Sequence, residues 1–368
     1  MNEIGLYIHI PFCDGKCNYC SFFSRKADEI EYDIYTDNLI KIIGIWGEKI
    51  NKRVDSVYFG GGTPSLLGHK RLIDILSSVY ESFDVSSGAE ITIEVNPSST
   101  QELDFSALSA VGFNRLSIGL QSSDDHELQT LGRRHLASDA VDTVNRAKQS
   151  GFDNISLDVM LAIPGQTAES LDRTLEFCAD AGVTHISSYI LKIEQGTPFY
   201  RDRDKLGLFN DDEQAAFYEQ TVSKLDSLGY KQYEISNFSL PGKESRHNLH
   251  YWRDEEYLGL GPSAHSFIDG KRFFYDNDFD GFYNDITLFE SEGGDSEEYI
   301  MLALRLSEGL VFKKYEARFN KPVSDDLTAA AKELEKNGLC TVSDNNIALT
   351  VKGFLVSNAV IAYLSEKT

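Results

Sequence analysis

The chain has 368 residues, and 35 basic against 58 acidic side chains leave a formal charge of -23 at neutral pH. A surface of that sign repels DNA, RNA and anionic lipid headgroups, so nucleic acid is excluded as a default partner. At 41% hydrophobic and 11% aromatic the chain buries a large core, and its length predicts two or three domains.

The N-terminal stretch Met1-Asn2-Glu3-Ile4-Gly5 lacks the basic segment and apolar run of a secretory signal, which predicts a cytoplasmic location. The longest apolar runs, such as Val356 to Leu364, fall short of the roughly 18–20 residues that span a bilayer. No transmembrane segment is expected.

The first 230 residues alternate β-rich runs with amphipathic stretches six times. Strands are expected at Leu6 to Ile10, Ser56 to Phe59, Glu90 to Val95, Arg115 to Ile118, Asn154 to Met160 and His185 to Leu191. Helical spacing follows each, at Tyr32 to Lys49, His69 to Ser82, Asp104 to Ala110, Ser138 to Ser150, Ser170 to Ala181 and Asp211 to Leu228. Apolar, weakly charged strands between helices predict a parallel α/β sheet. Six units are two short of a closed eight-stranded barrel, so the expected fold is a partial (β/α)6 barrel over 1–230. Its functional groups should gather where strands end and loops begin.

The texture changes after residue 230. Residues 231–295 are rich in aromatics, Gly, Asn and charge without helical spacing, and predict an irregular extension at the barrel mouth. Residues 296–368 turn helical again, with a strand pair over Cys340 to Leu349 turning at Asp344-Asn345-Asn346 and a last helix to Ser365. That order predicts a small winged-helix-like α+β domain, serving for packing or interaction rather than for reading DNA.

Directly after the first strand stand Cys13, Cys17 and Cys20, spaced C-x3-C-x2-C; Cys178 and Cys340 are isolated and read as buried free thiols. The triplet admits several readings: a zinc site with His9 as fourth ligand, a redox pair of Cys17 and Cys20, structural thiols, or a three-cysteine iron–sulfur cluster. In the last, one iron keeps an open coordination position for a small molecule. The other strand ends carry groups suited to one charged nucleoside. They are Gly60-Gly61-Gly62-Thr63-Pro64, Glu94, Gln121 with Arg133 twelve residues on, and Asp158. The glycines let backbone approach a ligand closely, and no Gly-Lys-Ser/Thr follows to make a phosphate loop.

Tyr7-Ile8-His9-Ile10-Pro11-Phe12-Cys13 with Cys17 and Cys20 resembles the radical S-adenosylmethionine (SAM) superfamily, within the family of oxygen-independent coproporphyrinogen III oxidase and its haem-chaperone relatives. The resemblance runs over nearly the whole chain. It implies a 4Fe-4S cluster on Cys13, Cys17 and Cys20. It also implies SAM chelating the open iron, where one electron cleaves it to a 5'-deoxyadenosyl radical. Through it, Tyr7, Tyr19, Gly61, Gly62, Thr63, Glu94, Gln121, Arg133 and Asp158 become the SAM-binding positions.

Two branches share this scaffold. The oxidase pattern places a further Cys two residues after Cys20, where this chain has Phe22, and the oxidase branch carries an N-terminal extension that is not seen here. Instead, Arg246-His247-Asn248-Leu249-His250-Tyr251-Trp252 matches the His-Asn-x-x-Tyr-Trp signature of HemW-type haem chaperones. An imidazole is a good axial ligand for haem iron and aromatic surface stacks on a porphyrin, which makes His247 the expected haem ligand. His265, in Gly259-Leu260-Gly261-Pro262-Ser263-Ala264-His265, is a second candidate ligand or a brace of its loop. The resemblance therefore implies a chaperone that binds cluster, SAM and haem, receives electrons from a donor and passes haem to clients such as respiratory enzymes. The alternatives are a coproporphyrinogen III oxidase and a zinc-stabilised barrel acting as a binding module.

Overall fold

The computed structural model describes residues 3–367 of the protein. Six strands and their helices arrive in the expected order: β1 (Glu3–Ile10), β2 (Arg53–Gly61), β3 (Asp84–Val95), β4 (Arg115–Gln121), β5 (Ile155–Leu161) and β6 (His185–Ile190). All five successive pairs are parallel. The helices begin on side-chain caps read straight from sequence. Asp28 caps Glu29–Lys49 in a reciprocal box with Glu31, and Asn210 does the same for Asp211–Ser227 with Glu213.

The six parallel strands form an open, partial barrel, but the sheet does not stop there. Residues 231–295 are more regular than their composition predicts. β7 (Lys231–Gln232) and β8 (Asn237–Ser239) extend it beyond β6, while β9 (Tyr257–Leu260), β10 (His265–Ile268), β11 (Lys271–Tyr275) and β12 (Thr287–Glu292) extend it beyond β1. β9 runs parallel to β1, and β10, β11 and β12 follow as antiparallel neighbours. Short strands with aromatic and charged residues escape a periodicity search because their apolar runs are only two or three residues long.

Strand parity separates two faces. Ile4, Leu6, Ile8 and Ile10 of β1, with Val57 and Phe59 of β2, are fully buried under the helices. Tyr7, Tyr58 and Thr92 lie abreast on the inner face, as do Asp158 and Ser187. Fully packed parallel sheets read as continuous apolar runs; here the inner face is polar because it surrounds a cavity.

The C-terminal unit begins with the helix Ser296–Ala303 and contains β13 (Leu310–Val311), β14 (Cys340–Val342) and β15 (Asn346–Leu349) in the antiparallel order β13-β15-β14. Its Leu327, Phe354 and Leu364 share one apolar core with the barrel helices. Asp254 ties it to the sheet extension, its carboxylate fully buried between Arg272 of β11 at 3.3 Å and Arg318 at 2.6 Å. Among the described residues no helix is long and apolar enough to cross a membrane.

Candidate functional site

The strand ends open onto a cavity of about 520 Å³. It is lined by Cys13, Cys17, Tyr19 and Cys20 from the loop after β1, by Gly61, Gly62 and Thr63 after β2, and by Glu94, Gln121, Arg133 and Asp158. The structure thus gathers eleven of the expected site residues around one space. Tyr7 is not among the lining residues: its ring packs beside Tyr58 and its hydroxyl lies 3.0 Å from His9 Nδ1.

Close packing dictates the glycine run. A Cβ on Gly62 would stand 2.3 Å from the carbonyl oxygen of Phe12, and one on Gly61 would stand 2.5 Å from the His9 ring. These glycines let β2 press against the segment that launches the cysteine loop, and the loop is further tied by Cys13 N–H donating to Arg25 O and Asn18 N–H to Leu131 O. Beneath it, Tyr19 packs on Leu131, Ile163, Leu191 and Phe199.

All three loop cysteines are free and half-buried. Thr63 Oγ1 donates toward Cys13 Sγ at 3.6 Å and Arg133 Nη1 toward Cys17 Sγ at 3.5 Å. Donors aimed at two of the sulfurs favour the thiolate, the form that binds metal, while burial pushes the Cys20 thiol up; three thiols of one loop lining one cavity fit an iron–sulfur cluster with three protein ligands. A single zinc fits less well. His9, the expected fourth ligand, engages Tyr7 Oη through Nδ1 and the Phe23 carbonyl through Nε2 at 3.3 Å.

Two buried carboxyls face the cavity. Glu94 accepts from Tyr58 Oη at 2.8 Å and from the Gly61 N–H at 3.2 Å, and burial lifts its pKa to about 7. Asp158 accepts from Ser117 Oγ at 3.1 Å and is also raised, chiefly by burial. A part-protonated Glu94 beside the buried Asp158 carboxyl suits a cationic guest, whose arrival would favour their ionised forms. Arg133 donates to the Gly119 carbonyl at 2.7 Å and to Asn96 Oδ1 at 3.2 Å, while its Nε has no hydrogen-bond partner among the described residues. Gln121 sits at φ 71, a left-handed conformation that a non-glycine residue holds only where its surroundings impose it.

Tyr58, Asn96, Ser117, Ser187 and Tyr189 also line the cavity and were not singled out from sequence. Parity would have found Tyr58, two residues before Gly60, and Ser117, two before Gly119.

The structure places His247 inside the barrel. The signature segment forms a short helix, Arg246–Trp252, that plugs the inner face of the barrel. His247 is 1% exposed; its Nδ1 lies 3.0 Å from Ser56 Oγ and its Nε2 2.9 Å from Tyr251 Oη. Its ring stacks on Tyr58, with centroids 5.2 Å apart, and burial holds its pKa well below the usual range. Both nitrogens have hydrogen-bond partners inside the barrel. His250 is likewise inside, 2.6 Å from Asp55; burial opposes its charge, but Asp55 and Glu255 hold it up at about 9. Of the signature, Asn248 alone lines the cavity.

Comparison with known proteins agrees with this architecture. The profile of the radical SAM superfamily matches residues 7–178, and that of the HemN C-terminal domain matches residues 296–356. The chain is 34% identical to the heme chaperone HemW of Bacillus subtilis (strain 168), over 98% of this chain and 99% of that protein. It is 33% identical to the heme chaperone HemW of Mycobacterium tuberculosis (strain ATCC 25618 / H37Rv), over 98% and 94%. With the mitochondrial radical S-adenosyl methionine domain-containing protein 1 of Bos taurus it shares 32% over 98% and 87%. Among solved structures it resembles the coproporphyrinogen III oxidase HemN of Escherichia coli, with a TM-score of 0.83, 22% identity, and coverage of 99% of this chain and 90% of that one; this likeness concerns the fold.

Proposed function

The chain belongs to the radical SAM family of oxygen-independent coproporphyrinogen III oxidase-like proteins, in its HemW-type branch, and from that premise we propose that it is a cytoplasmic haem chaperone carrying a 4Fe-4S cluster and SAM. The observation that carries this reading is the end-to-end match to relatives named heme chaperone HemW. The chain's own residues support it. Cys20 is followed by Phe22, 66% exposed, where the oxidase pattern has a further thiol.

Cys13, Cys17 and Cys20 would hold the cluster, which supplies one-electron chemistry and an open iron position when bound. Arg133 and Thr63 lend positive or donor character to the sulfurs. Glu94 gives up its proton and Asp158 adds its carboxylate to balance a cationic ligand, and Gln121 and Asn96 offer amide contacts. Gly61 and Gly62 let the ligand lie against backbone. The barrel wall and its signature plug exclude water from below.

Anaerobically purified protein should be brown with about four irons per chain. It should bind haem saturably and release it to an apo-haem protein. Appreciable conversion of coproporphyrinogen III to protoporphyrinogen IX with SAM and reductant would overturn the chaperone assignment in favour of the oxidase.

A further inference from the structure

With both nitrogens of His247 engaged, the haem-binding reading lacks an iron ligand, and another part of the sheet offers one. We propose that His265 is the axial haem ligand and that the porphyrin docks on the inner face of β10–β12, beside the barrel mouth. This inference rests on the haem-binding reading given above.

Strand register puts the pieces side by side. Gly5 of β1 faces the His247 ring inside the barrel, and Gly5 pairs with Tyr257 of β9, which pairs with Phe267 of β10. His265, two residues from Phe267, therefore shares that inner face. It pairs with Phe274 of β11, and Phe274 with Leu288 of β12. The result is a row of imidazole, phenyl and isobutyl groups across three strands, continuous with the concave wall of the barrel.

The imidazole is arranged as a ligand would be. Its Nδ1 lies 3.2 Å from Glu290 Oε2; a carboxylate only accepts, so Nδ1 carries the proton and the lone pair of the neutral ring is on Nε2. Nε2 has no hydrogen-bond partner among the described residues, and the side chain is 50% exposed. Carboxylate-to-imidazole pairing of this kind orients metal-binding histidines. Phe274 stacks on the ring at 5.0 Å and 18°, which fixes its plane. Leu288, 39% exposed, supplies apolar surface for a porphyrin edge. The turn that delivers His265 is stiff: Ser263 stands at φ 71 and its N–H donates to Tyr275 O, while the Tyr275 N–H donates to Ala264 O. The other histidines contrast with this arrangement. His9, His135, His185, His247 and His250 are all buried; half-exposed His69, in the helix Gly68–Ser82, and exposed His126, in the polar helix Asp125–Thr130, have no aromatic ring packed on them among the described residues.

The test is haemin titration of the full-length protein, followed by the Soret band, with thermal melts verifying that each variant is folded. His265→Ala should weaken binding by about tenfold or more and shift the Soret maximum. His265→Met should keep binding with a different absorption spectrum, because a thioether replaces the nitrogen donor. Leu288→Asp should weaken binding with an unchanged spectrum, and His126→Ala should match the parent. If the parent protein binds haemin saturably and His265→Ala gives the same affinity and the same band, the assignment of His265 is overturned while the chaperone reading stands. If the parent binds no haemin, the haem-binding reading itself fails and takes the assignment with it.

Discussion

Glu94→Gln should flatten the pH dependence of folding stability in the cofactor-free protein. Burial holds the Glu94 carboxyl at about 7, against an ordinary 4.5, so between those values the folded protein keeps a proton that the unfolded chain has lost. The contribution is fully present below about 4.5 and is lost as pH rises through about 7. A separation of about 2.5 pH units, at about 1.36 kcal/mol each, makes the parent lose about 2–3 kcal/mol from this residue between pH 5 and pH 8. Glutamine keeps an acceptor for the Tyr58 hydroxyl, which stands 2.8 Å from the carboxylate, but has no charge to desolvate. Urea denaturation of parent and variant at pH 5, 6.5 and 8 gives the comparison. Glu234, also raised to about 7 by burial, titrates in both proteins and cancels. Parallel stability curves would refute the reasoning, because they would mean that Glu94 is already ionised in the empty site and has no proton to yield to a cation.

Cys17→Ser should reduce bound iron from about four per chain to a trace in anaerobic preparations while leaving the far-ultraviolet circular dichroism unchanged, since Cys17 is a half-buried loop residue; retention of a full complement would remove it from the ligand set. Gly62→Ala drives a methyl group to 2.3 Å from the Phe12 carbonyl and should cost about 1–3 kcal/mol by urea denaturation, together with weaker cluster retention. An unaltered midpoint would show that the β1–β2 contact is slack. Asp254→Asn preserves the left-handed backbone at φ 52 but removes the charge between Arg272 and Arg318. Arg272 keeps Glu298 at 2.8 Å while Arg318, a third exposed, loses its carboxylate, so the change should cost about 1–2 kcal/mol, and a loss below about 0.5 kcal/mol would mean that the bridge does not hold the C-terminal unit to the sheet.

What was legible in the sequence follows from the length of each signal. The six βα units announce themselves through helices up to 21 residues long and strands with buried apolar rows, and every one of them is found in place. The cysteine loop and the glycine run are legible because their residue types have few other uses at a strand end. The individual strands of the extension could not be placed because β7 to β11 span only two to five residues each, too short for alternation to show, and what makes them strands is the open edges of β1 and β6. The signature around His247 was legible as a motif, but its place in the fold was not. Histidine, asparagine, tyrosine and tryptophan in seven residues resemble a ligand set, yet the same groups are what a polar barrel interior needs to satisfy Ser56, Asp55 and Glu90 from below, where His247 and His250 in fact make their hydrogen bonds. Whether an imidazole is a ligand or a core residue depends on where its lone pair points. That depends on the partner of the other nitrogen: a buried serine for His247, and for His265 a glutamate 25 residues away on another strand. No local pattern records such a pairing, so the surroundings of the two histidines become readable only once the sheet register is known.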